Sequence, residues 1–241
     1  MWSLFTKKEN LFEQIKVDIH SHLLPKLDDG VKTFEESLII LEKLKRAGYQ
    51  KAVITPHVMQ ETYPNTARQI QDALQALRTR IRINQLDMEV EAAAEYYIDE
   101  TFFKKMEAGE EFLTFGPGYI LIETSFYNEP VYLKDVIFRL KANGLKPILA
   151  HPERYVYFQN NLRLLKEVAD MSILFQVNMN SLIGLYDKAA QKLAEWMIDR
   201  NMVNFLGSDC HNVKHLDGFE ALSQNKYFKK AVKSGLLNSS L

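Results

Sequence analysis

The stretch KVDIHSHLLPKLDDG, residues 16–30, combines a short apolar run with two histidines and a pair of acidic residues. His20 and His22 are two positions apart, so their side chains point to the same side if this run is a β-strand. Asp29 follows in the next loop and can reach back over the end of that strand. A His-x-His pair by itself is more often a packed or surface feature than a metal site. Whether His20 and His22 bind a metal ion therefore depends on other candidate ligands elsewhere in the chain.

Strand-like runs recur along the whole chain. Most of them are continuously apolar rather than alternating, which is typical of parallel strands covered on both faces. Segments with helical periodicity lie between most of these runs, and the first of them has Thr33 and Glu36 in capping-box spacing and ends at Gly48. The strand-like runs are 17–20, 51–57, 89–98, 119–125, 146–152, 173–180 and 204–211, and the helical segments are 33–48, 66–81, 130–144, 161–170, 186–201 and part of 215–234.

This alternation predicts an α/β fold in which a parallel sheet has right-handed helical crossovers. We favour a closed or nearly closed barrel over an open doubly wound sheet, because no glycine-rich phosphate loop follows the first strand. One barrel domain is expected over residues 17–241, preceded by an N-terminal arm over residues 1–16. We expect Trp2, Leu4 and Phe5 to dock this arm on its own domain or on a neighbouring subunit.

Composition limits the classes of partner. The 241 residues include 30 Lys and Arg against 31 Asp and Glu, so electrostatics give no reason to expect nucleic acid or an anionic membrane as the main partner. The chain has one cysteine, Cys210, which excludes an internal disulfide and fits a cytoplasmic location. No apolar run reaches the roughly 18 residues that membrane insertion needs.

Nine His, Asp and Glu side chains fall at or just beyond the carboxyl ends of the predicted strands. Active sites of β/α barrels assemble at this end. Glu123 closes an apolar run, where a carboxylate is costly to bury unless it is paired or bound to a metal ion. The convergence of so many ligand types predicts a metal site. Its candidate ligands are His20, His22, Asp29, His57, Glu95, Glu123, His151, Asp209 and His211.

The ligand types also restrict the metal ions. Imidazole nitrogens and carboxylate oxygens without thiolates suit Mn, Fe, Zn or Mg, and we expect Cys210 to be a small buried filler. Nine ligands are too many for one ion, so two or three divalent ions are predicted. Three such ions would outweigh the four carboxylates and leave a positive surplus that attracts a dianion such as a phosphate monoester.

Several stretches together resemble the polymerase and histidinol phosphatase (PHP) superfamily. Within it, the chain is similar to the metal-dependent tyrosine-protein phosphatases of bacterial capsule and exopolysaccharide loci. The resemblance implies a distorted β/α barrel with seven strands and three ions, usually of the manganese type. It extends from about residue 17 to 212 and is carried by DIHSHLLPKLDDGVKTFEESL, ITPHVMQETYPNT, YILIETSF, LKPILAHPERY, QVNMNSLIGLY and GSDCHN.

The resemblance also implies a role for each candidate. One ion would be held by His20, His22, Glu95 and Asp209, a second by Glu95, Glu123 and His151, and a third by Asp29, His57 and His211. Arg154 in HPERY matches an arginine that contacts the substrate phosphate, and we assign catalysis to Arg154, Asp209 and His57. The family commonly has a second arginine after the last Asp-x-His. Here the segment reads HNVKHLDG, so Lys214, or else His215, is the expected substitute for substrate binding.

The function implied is hydrolysis of a phosphate monoester by in-line attack of a metal-bound hydroxide. The expected substrate is the phosphotyrosine tail of a bacterial polysaccharide-biosynthesis tyrosine kinase. A cysteine-based mechanism is excluded, because Leu216 stands where the Cys-x5-Arg motif from Cys210 would need arginine. We expect the phosphotyrosine ring to be framed by one or more tyrosines, with these as candidates: Tyr63, Tyr96, Tyr97, Tyr127 and Tyr155.

Two alternative functions and the oligomeric state stay open at this point. A small-molecule phosphoesterase such as histidinol phosphatase would use the same metal ligands. A non-catalytic scaffold for phosphorylated tails is disfavoured because every ligand position is intact. Relatives can form homo-oligomers, and the sequence does not decide the oligomeric state.

Overall fold

Parallel strands form the centre of the computed structural model, which describes residues 10–241. They are arranged in a three-stranded sheet of order β1-β2-β4 and a six-stranded sheet of order β3-β5-β6-β7-β8-β9, and every neighbouring pair is parallel. The predicted α/β fold with parallel strands is therefore confirmed. The strands are β1 Val17–Asp18, β2 Lys51–Ile54, β3 His57–Val58, β4 Glu89–Ala92, β5 Glu95–Tyr97, β6 Tyr119–Glu123, β7 Lys146–Ala150, β8 Leu174–Asn178 and β9 Phe205–Gly207.

The strand count differs from the prediction. Each of the seven predicted runs contains a strand, but the runs 51–57 and 89–98 contain two each, which gives nine strands in residues 10–241. The first of these runs is interrupted at Pro56, which has no N–H to donate to a neighbouring strand. Backbone hydrogen bonds continue across the interruption, because the Glu95 N–H donates to the Pro56 carbonyl at 3.1 Å. The two sheets therefore meet within these two runs.

Ten α-helices connect and cover the strands within the described residues. The predicted start of α2 is confirmed, because the Thr33 hydroxyl accepts a hydrogen bond from the Glu36 N–H at 3.2 Å. Its end is confirmed at Gly48, whose φ of 118° is favourable only for glycine. The helices are α1 Leu11–Ile15, α2 Phe34–Ala47, α3 Ala67–Ile83, α4 Glu100–Glu107, α5 Leu133–Ala142, α6 Val156–Asn160, α7 Leu162–Asp170, α8 Lys188–Asp199, α9 Phe219–Gln224 and α10 Lys226–Lys233.

The predicted N-terminal arm is only partly within the described residues. Trp2, Leu4 and Phe5 lie outside them. Helix α1 belongs to the predicted arm, and its Phe12 ring stacks on Phe219 with ring centroids 4.7 Å apart. Residues 11–15 therefore pack into the main hydrophobic core. Among residues 10–241, no helix combines the length and the apolar character that crossing a bilayer requires.

The first and last strands belong to different sheets, yet backbone hydrogen bonds join the segments that follow them. The Asp209 N–H donates to the His20 carbonyl at 2.8 Å, and the His22 N–H donates to the Cys210 carbonyl at 2.9 Å. These bonds lie beyond the carboxyl ends of β1 and β9. They hold the first histidine pair beside the last Asp-x-His of the chain.

At the other end of the same junction, the side chain of Asn238 takes the place of a strand ladder. Its Nδ2 donates to the carbonyls of Val17 at 2.9 Å and Leu206 at 2.8 Å, and its Oδ1 accepts from the Leu206 N–H at 3.0 Å. Asn238 is fully buried. A single amide therefore satisfies backbone groups of both terminal strands.

We predict that Asn238→Ala destabilises the protein by about 2–4 kcal/mol, because it leaves buried backbone donors and acceptors without partners. The free energy of unfolding from urea denaturation measures this. Ser240→Ala, which removes an exposed hydroxyl bonded to the Leu237 carbonyl, is the control and should change stability by less than about 0.5 kcal/mol. An equal effect of both variants would contradict the role given to Asn238.

Candidate active site

All nine side chains predicted as metal ligands lie together at the carboxyl ends of the strands. Their candidate ligand atoms form four overlapping groups, and within each group the atoms lie within 4.8 Å of one another. The groups are His20, His22 and Glu95; His20, His151 and Asp209; His57, Glu95 and Glu123; and His22, Asp29, His57 and His211. We call these nine residues the His/acid cluster.

The deepest part of the cluster is built on Glu95 and Asp209. Glu95 Oε2 lies 3.1 Å from His20 Nε2 and 3.4 Å from His22 Nε2. Asp209 Oδ1 lies 3.4 Å from each of the same two nitrogens. These four side chains are buried, and they are the set that the sequence resemblance assigns to one ion.

His57 connects the two outer parts of the cluster. Its Nδ1 lies 2.9 Å from Glu123 Oε1 and 3.1 Å from Glu95 Oε2, whereas its Nε2 lies 3.7 Å from Asp29 Oδ1. The sequence resemblance placed His57 only with Asp29 and His211. In the structure its two ring nitrogens face different groups of acids.

Four buried atoms of this cluster have no hydrogen-bond partner. One is His151 Nδ1, and the other three, His57 Nδ1, Glu95 Oε2 and Glu123 Oε1, lie side by side. Neighbouring atoms among them are only 2.9 and 3.1 Å apart, but their angles do not make hydrogen bonds. Orphaned buried polar atoms are costly, and a nitrogen and two oxygens converging on one region form a donor set that a divalent cation can satisfy. The residues present therefore fit a metal ion.

The electrostatics of the cluster favour positive charge. Burial alone would raise the pKa of Glu95, but the neighbouring His20 and His57 hold it well below its usual range. Burial alone would lower the pKa of His20, whereas Glu95 and Asp209 raise it to about 9. The carboxylates thus favour cations at the positions that the imidazoles surround.

Two side chains that the sequence analysis did not assign orient the histidines. Asp28 Oδ2 lies 2.7 Å from His22 Nδ1, and Gln176 Oε1 lies 2.7 Å from His20 Nδ1. Each acceptor fixes a proton on Nδ1, which leaves Nε2 free to face the acids. Asp28 also accepts from the Gly30 N–H at 2.9 Å and the His57 N–H at 3.0 Å, so it ties three segments of the site together.

The backbone conformation at two residues directs their side chains into the cluster. His151 and Asp209 follow β7 and β9 with φ angles of 32° and 49°, in the left-handed region that residues other than glycine rarely adopt. Such strain is concentrated at functional sites. Asp209 Oδ2 accepts from Asn178 Nδ2 at 2.7 Å and from Arg154 Nη1 at 3.0 Å, while Oδ1 faces the histidines.

A cavity of about 990 Å³ opens over the cluster. Six cluster members line it together with Arg154, the residue that we expect to contact the substrate phosphate. Lys214 is exposed and does not line it, whereas His215 does. Both lie in the 3₁₀-helix Val213–Leu216, in which successive side chains point about 120° apart, so only one of them can face the cavity. Of the two side chains, His215 is therefore the one that faces the cavity.

The predicted tyrosines divide into two groups. Tyr63, Tyr97 and Tyr127 line the cavity. Tyr96 and Tyr155 are buried instead, and their hydroxyls accept hydrogen bonds from the backbone N–H groups of Leu113 and Thr124. Phe126 and Tyr186 line the cavity without having been predicted.

Comparisons with known proteins identify relatives of this chain. A family model described as "Capsular polysaccharide synthesis, CpsB/CapC" matches residues 16–232. The putative tyrosine-protein phosphatase CapC of Staphylococcus aureus is 30% identical over 197 residues, which cover 82% of this chain and 77% of that protein. The tyrosine-protein phosphatase CpsB of Streptococcus pneumoniae is 28% identical over 224 residues, which cover 91% of each chain.

A solved structure extends the likeness to three dimensions. It comes from work on YwqE of Bacillus subtilis and CpsB of Streptococcus pneumoniae, described as "unique metal-dependent tyrosine phosphatases". The match has a TM-score of 0.77 at 27% identity and covers 89% of this chain and 84% of the other. Most of the fold therefore has a counterpart in a solved structure.

We predict that Asp28→Asn weakens binding of divalent ions by about 10–100-fold, because it disturbs the acceptor that orients His22. Titration of the metal-free protein with Mn²⁺ measures this. Asp87→Asn, which changes an exposed acid paired with Lys45, is the matched control and should bind Mn²⁺ like the wild type. Unchanged Mn²⁺ affinity in Asp28→Asn would show that the contact with His22 does not orient a ligand.

Proposed function

The chain belongs to the CpsB/CapC family, and on this basis we propose that it is a metal-dependent protein-tyrosine phosphatase. The observation that carries this proposal is the His/acid cluster, with its four orphaned buried atoms, at the floor of a cavity that also contains Arg154. The relatives named as tyrosine-protein phosphatases, and a solved relative described as metal-dependent, support it.

The proposed sets of metal ligands are those that the sequence resemblance implies, and the structure supports them by bringing all nine side chains together. His20, His22, Glu95 and Asp209 would hold one divalent ion; Glu95, Glu123 and His151, with His57 beside them, a second; and Asp29, His57 and His211 a third. We infer two or three ions, with manganese as the first choice and Fe, Zn or Mg as alternatives. When bound, such ions supply positive charge for the phosphate oxygens and make nearby water more acidic.

Arg154 is the side chain that we expect to bind the phosphoryl group. Its guanidinium lines the cavity while Nη1 donates to Asp209, so other N–H groups of the fork are available to phosphate oxygens. His215 lies nearby, with its Nδ1 3.0 Å from the Asp209 carbonyl oxygen, which leaves Nε2 as the ring atom for a ligand. We therefore propose His215, not Lys214, as the second substrate-binding side chain.

The shape of the cavity favours a phosphotyrosine of a protein over a small metabolite. The cavity has a volume of about 990 Å³, and its lining includes Tyr63, Tyr97 and Tyr127. Tyr127 is 74% exposed, so the aromatic lining continues to the protein surface. A tyrosine phenolate has a pKa of about 10 and leaves more readily than an alkoxide, so the residues need to supply less acid catalysis.

The family description points to a particular class of partner. We propose that the substrate is the phosphotyrosine tail of a tyrosine kinase of capsular polysaccharide synthesis, acting in the cytoplasm. An extended tail can insert a tyrosine side chain into a deep cavity without partial unfolding of the kinase. Because the net charge of the chain is near zero, we do not expect its partner to be strongly charged.

We predict that Glu123→Gln lowers kcat for a phosphotyrosine peptide in the presence of Mn²⁺ by more than about a hundredfold, because it removes one carboxylate of the cluster at nearly constant volume. Glu167→Gln, an exposed acid paired with Lys134 and Arg163, is the control and should retain wild-type turnover. Comparable turnover in both variants would contradict the role of Glu123.

We also predict that chelation abolishes turnover and that added Mn²⁺ restores it. A panel of substrates tests the class of reaction: the phosphotyrosine peptide should be hydrolysed faster than phosphoserine peptides and phosphorylated metabolites. A strong preference for one metabolite, such as histidinol phosphate, would replace the protein substrate with a small molecule. Binding of phosphotyrosine peptide without any turnover in the metal-loaded protein would indicate a scaffold.

A further inference from the structure

The guanidinium of Arg154 is held by three contacts within the protein. Its Cζ lies 4.2 Å from the ring centroid of Tyr186 and 4.7 Å from that of Phe126. Its Nη1 donates to Asp209 Oδ2 at 3.0 Å. Cation–π contacts fix the position of the planar group relative to each ring, and the ion pair fixes one of its edges. We call Phe126 and Tyr186 the aromatic pair.

Each member of the aromatic pair is itself anchored to the His/acid cluster. The Tyr186 hydroxyl accepts a hydrogen bond from Asn178 Nδ2 at 3.1 Å, and the same Nδ2 donates to Asp209 Oδ2 at 2.7 Å. The Phe126 ring stacks on His151 with centroids 5.6 Å apart and planes 19° from parallel. The position of Arg154 is therefore connected through both rings to proposed metal ligands.

This arrangement matters because Arg154 has no second lysine or arginine beside it in the cavity lining of residues 10–241. A long side chain that sampled many rotamers would lose that freedom when it bound an anion. A guanidinium that already has a fixed position loses less conformational entropy when it binds the anion. When one arginine is the only guanidinium that binds phosphate, holding it in place has a large effect on phosphate affinity.

We propose that Phe126 and Tyr186 are positioning residues for Arg154, which hold its guanidinium with free N–H groups toward the phosphoryl group of the substrate. This inference rests on the proposed function, since it takes a phosphate monoester as the ligand. It goes beyond that function by assigning two aromatic residues a role in anion affinity. Neither ring needs to contact the reacting atoms for this role.

The test compares Tyr186→Leu, which removes the ring, with Tyr186→Phe, which keeps the ring and removes only the hydroxyl. The readouts are the Kd for inorganic phosphate of the Mn²⁺-loaded protein, by calorimetry, and KM and kcat for a phosphotyrosine peptide. We expect Tyr186→Leu to raise Kd and KM by about tenfold, and Tyr186→Phe to remain within about twofold of wild type.

A double-mutant cycle separates positioning from general support of the fold. In an Arg154→Ala background, Tyr186→Leu should have less than about a twofold further effect on phosphate affinity, because there is no guanidinium left to hold. Trp196→Leu is the matched control. It removes the Trp196 ring of α8, whose centroid lies 4.0 Å from the Arg200 Cζ, and it should leave phosphate affinity unchanged.

Either of two results with the variants would overturn the proposal: unchanged phosphate affinity in folded Tyr186→Leu, or an equal loss of affinity with and without Arg154. Phe126→Leu provides the same comparison if thermal unfolding shows that Tyr186→Leu does not fold. If the wild type binds phosphate but does not hydrolyse phosphotyrosine, the proposed function fails. The double-mutant cycle on phosphate affinity still shows whether Tyr186 positions Arg154. A wild type that binds no phosphate would contradict the positioning role directly.

Discussion

The structure depends on one electrostatic constraint: carboxylates are buried beside imidazoles at a position where water cannot solvate them. Glu95 and His20 have no exposed surface, and their reactive atoms are 3.1 Å apart. Burying such charges is tolerated only when opposite charge and hydrogen bonds compensate. Asp28 and Gln176 supply those hydrogen bonds from outside the cluster, and the cations that we propose would supply the charge inside it.

The fold satisfies this constraint by bringing the ends of distant strands together. The His20 carbonyl and the Asp209 N–H, nearly two hundred residues apart in sequence, share one backbone hydrogen bond. The left-handed conformations of His151 and Asp209 then turn their side chains into the cluster. A stable scaffold holds this strain, with Asn238 closing the opposite end of the junction between the first and last strands.

Much of this arrangement is predictable from sequence because it depends on local patterns. The i, i+2 spacing of His20 and His22, and the position of Glu123 at the end of an apolar run, place ligands at strand ends without coordinates. The same patterns give parallel strands, but they do not show that Pro56 divides one run into two strands. Periodicity also could not decide between Lys214 and His215, because a 3₁₀-helix rather than a strand carries them.

The residues that sequence analysis missed act through contacts between distant parts of the chain. Gln176 accepts from a histidine 156 positions away, and nothing in its immediate neighbours indicates this. Phe126 and Tyr186 are ordinary loop aromatics until the guanidinium of Arg154 is seen beside them. Asp28 was adjacent to a predicted ligand, and the signal that could have identified it is the general need of a ligand histidine for an acceptor on its other nitrogen.

We propose that the nine side chains of the His/acid cluster form one multinuclear metal centre. Anomalous diffraction from crystals of the Mn²⁺-loaded protein tests this most directly. We predict two or three anomalous peaks among these side chains, each about 2.0–2.3 Å from nitrogen or oxygen ligands. A well-ordered cluster without any peak, in crystals of protein that turns over phosphotyrosine, would contradict it.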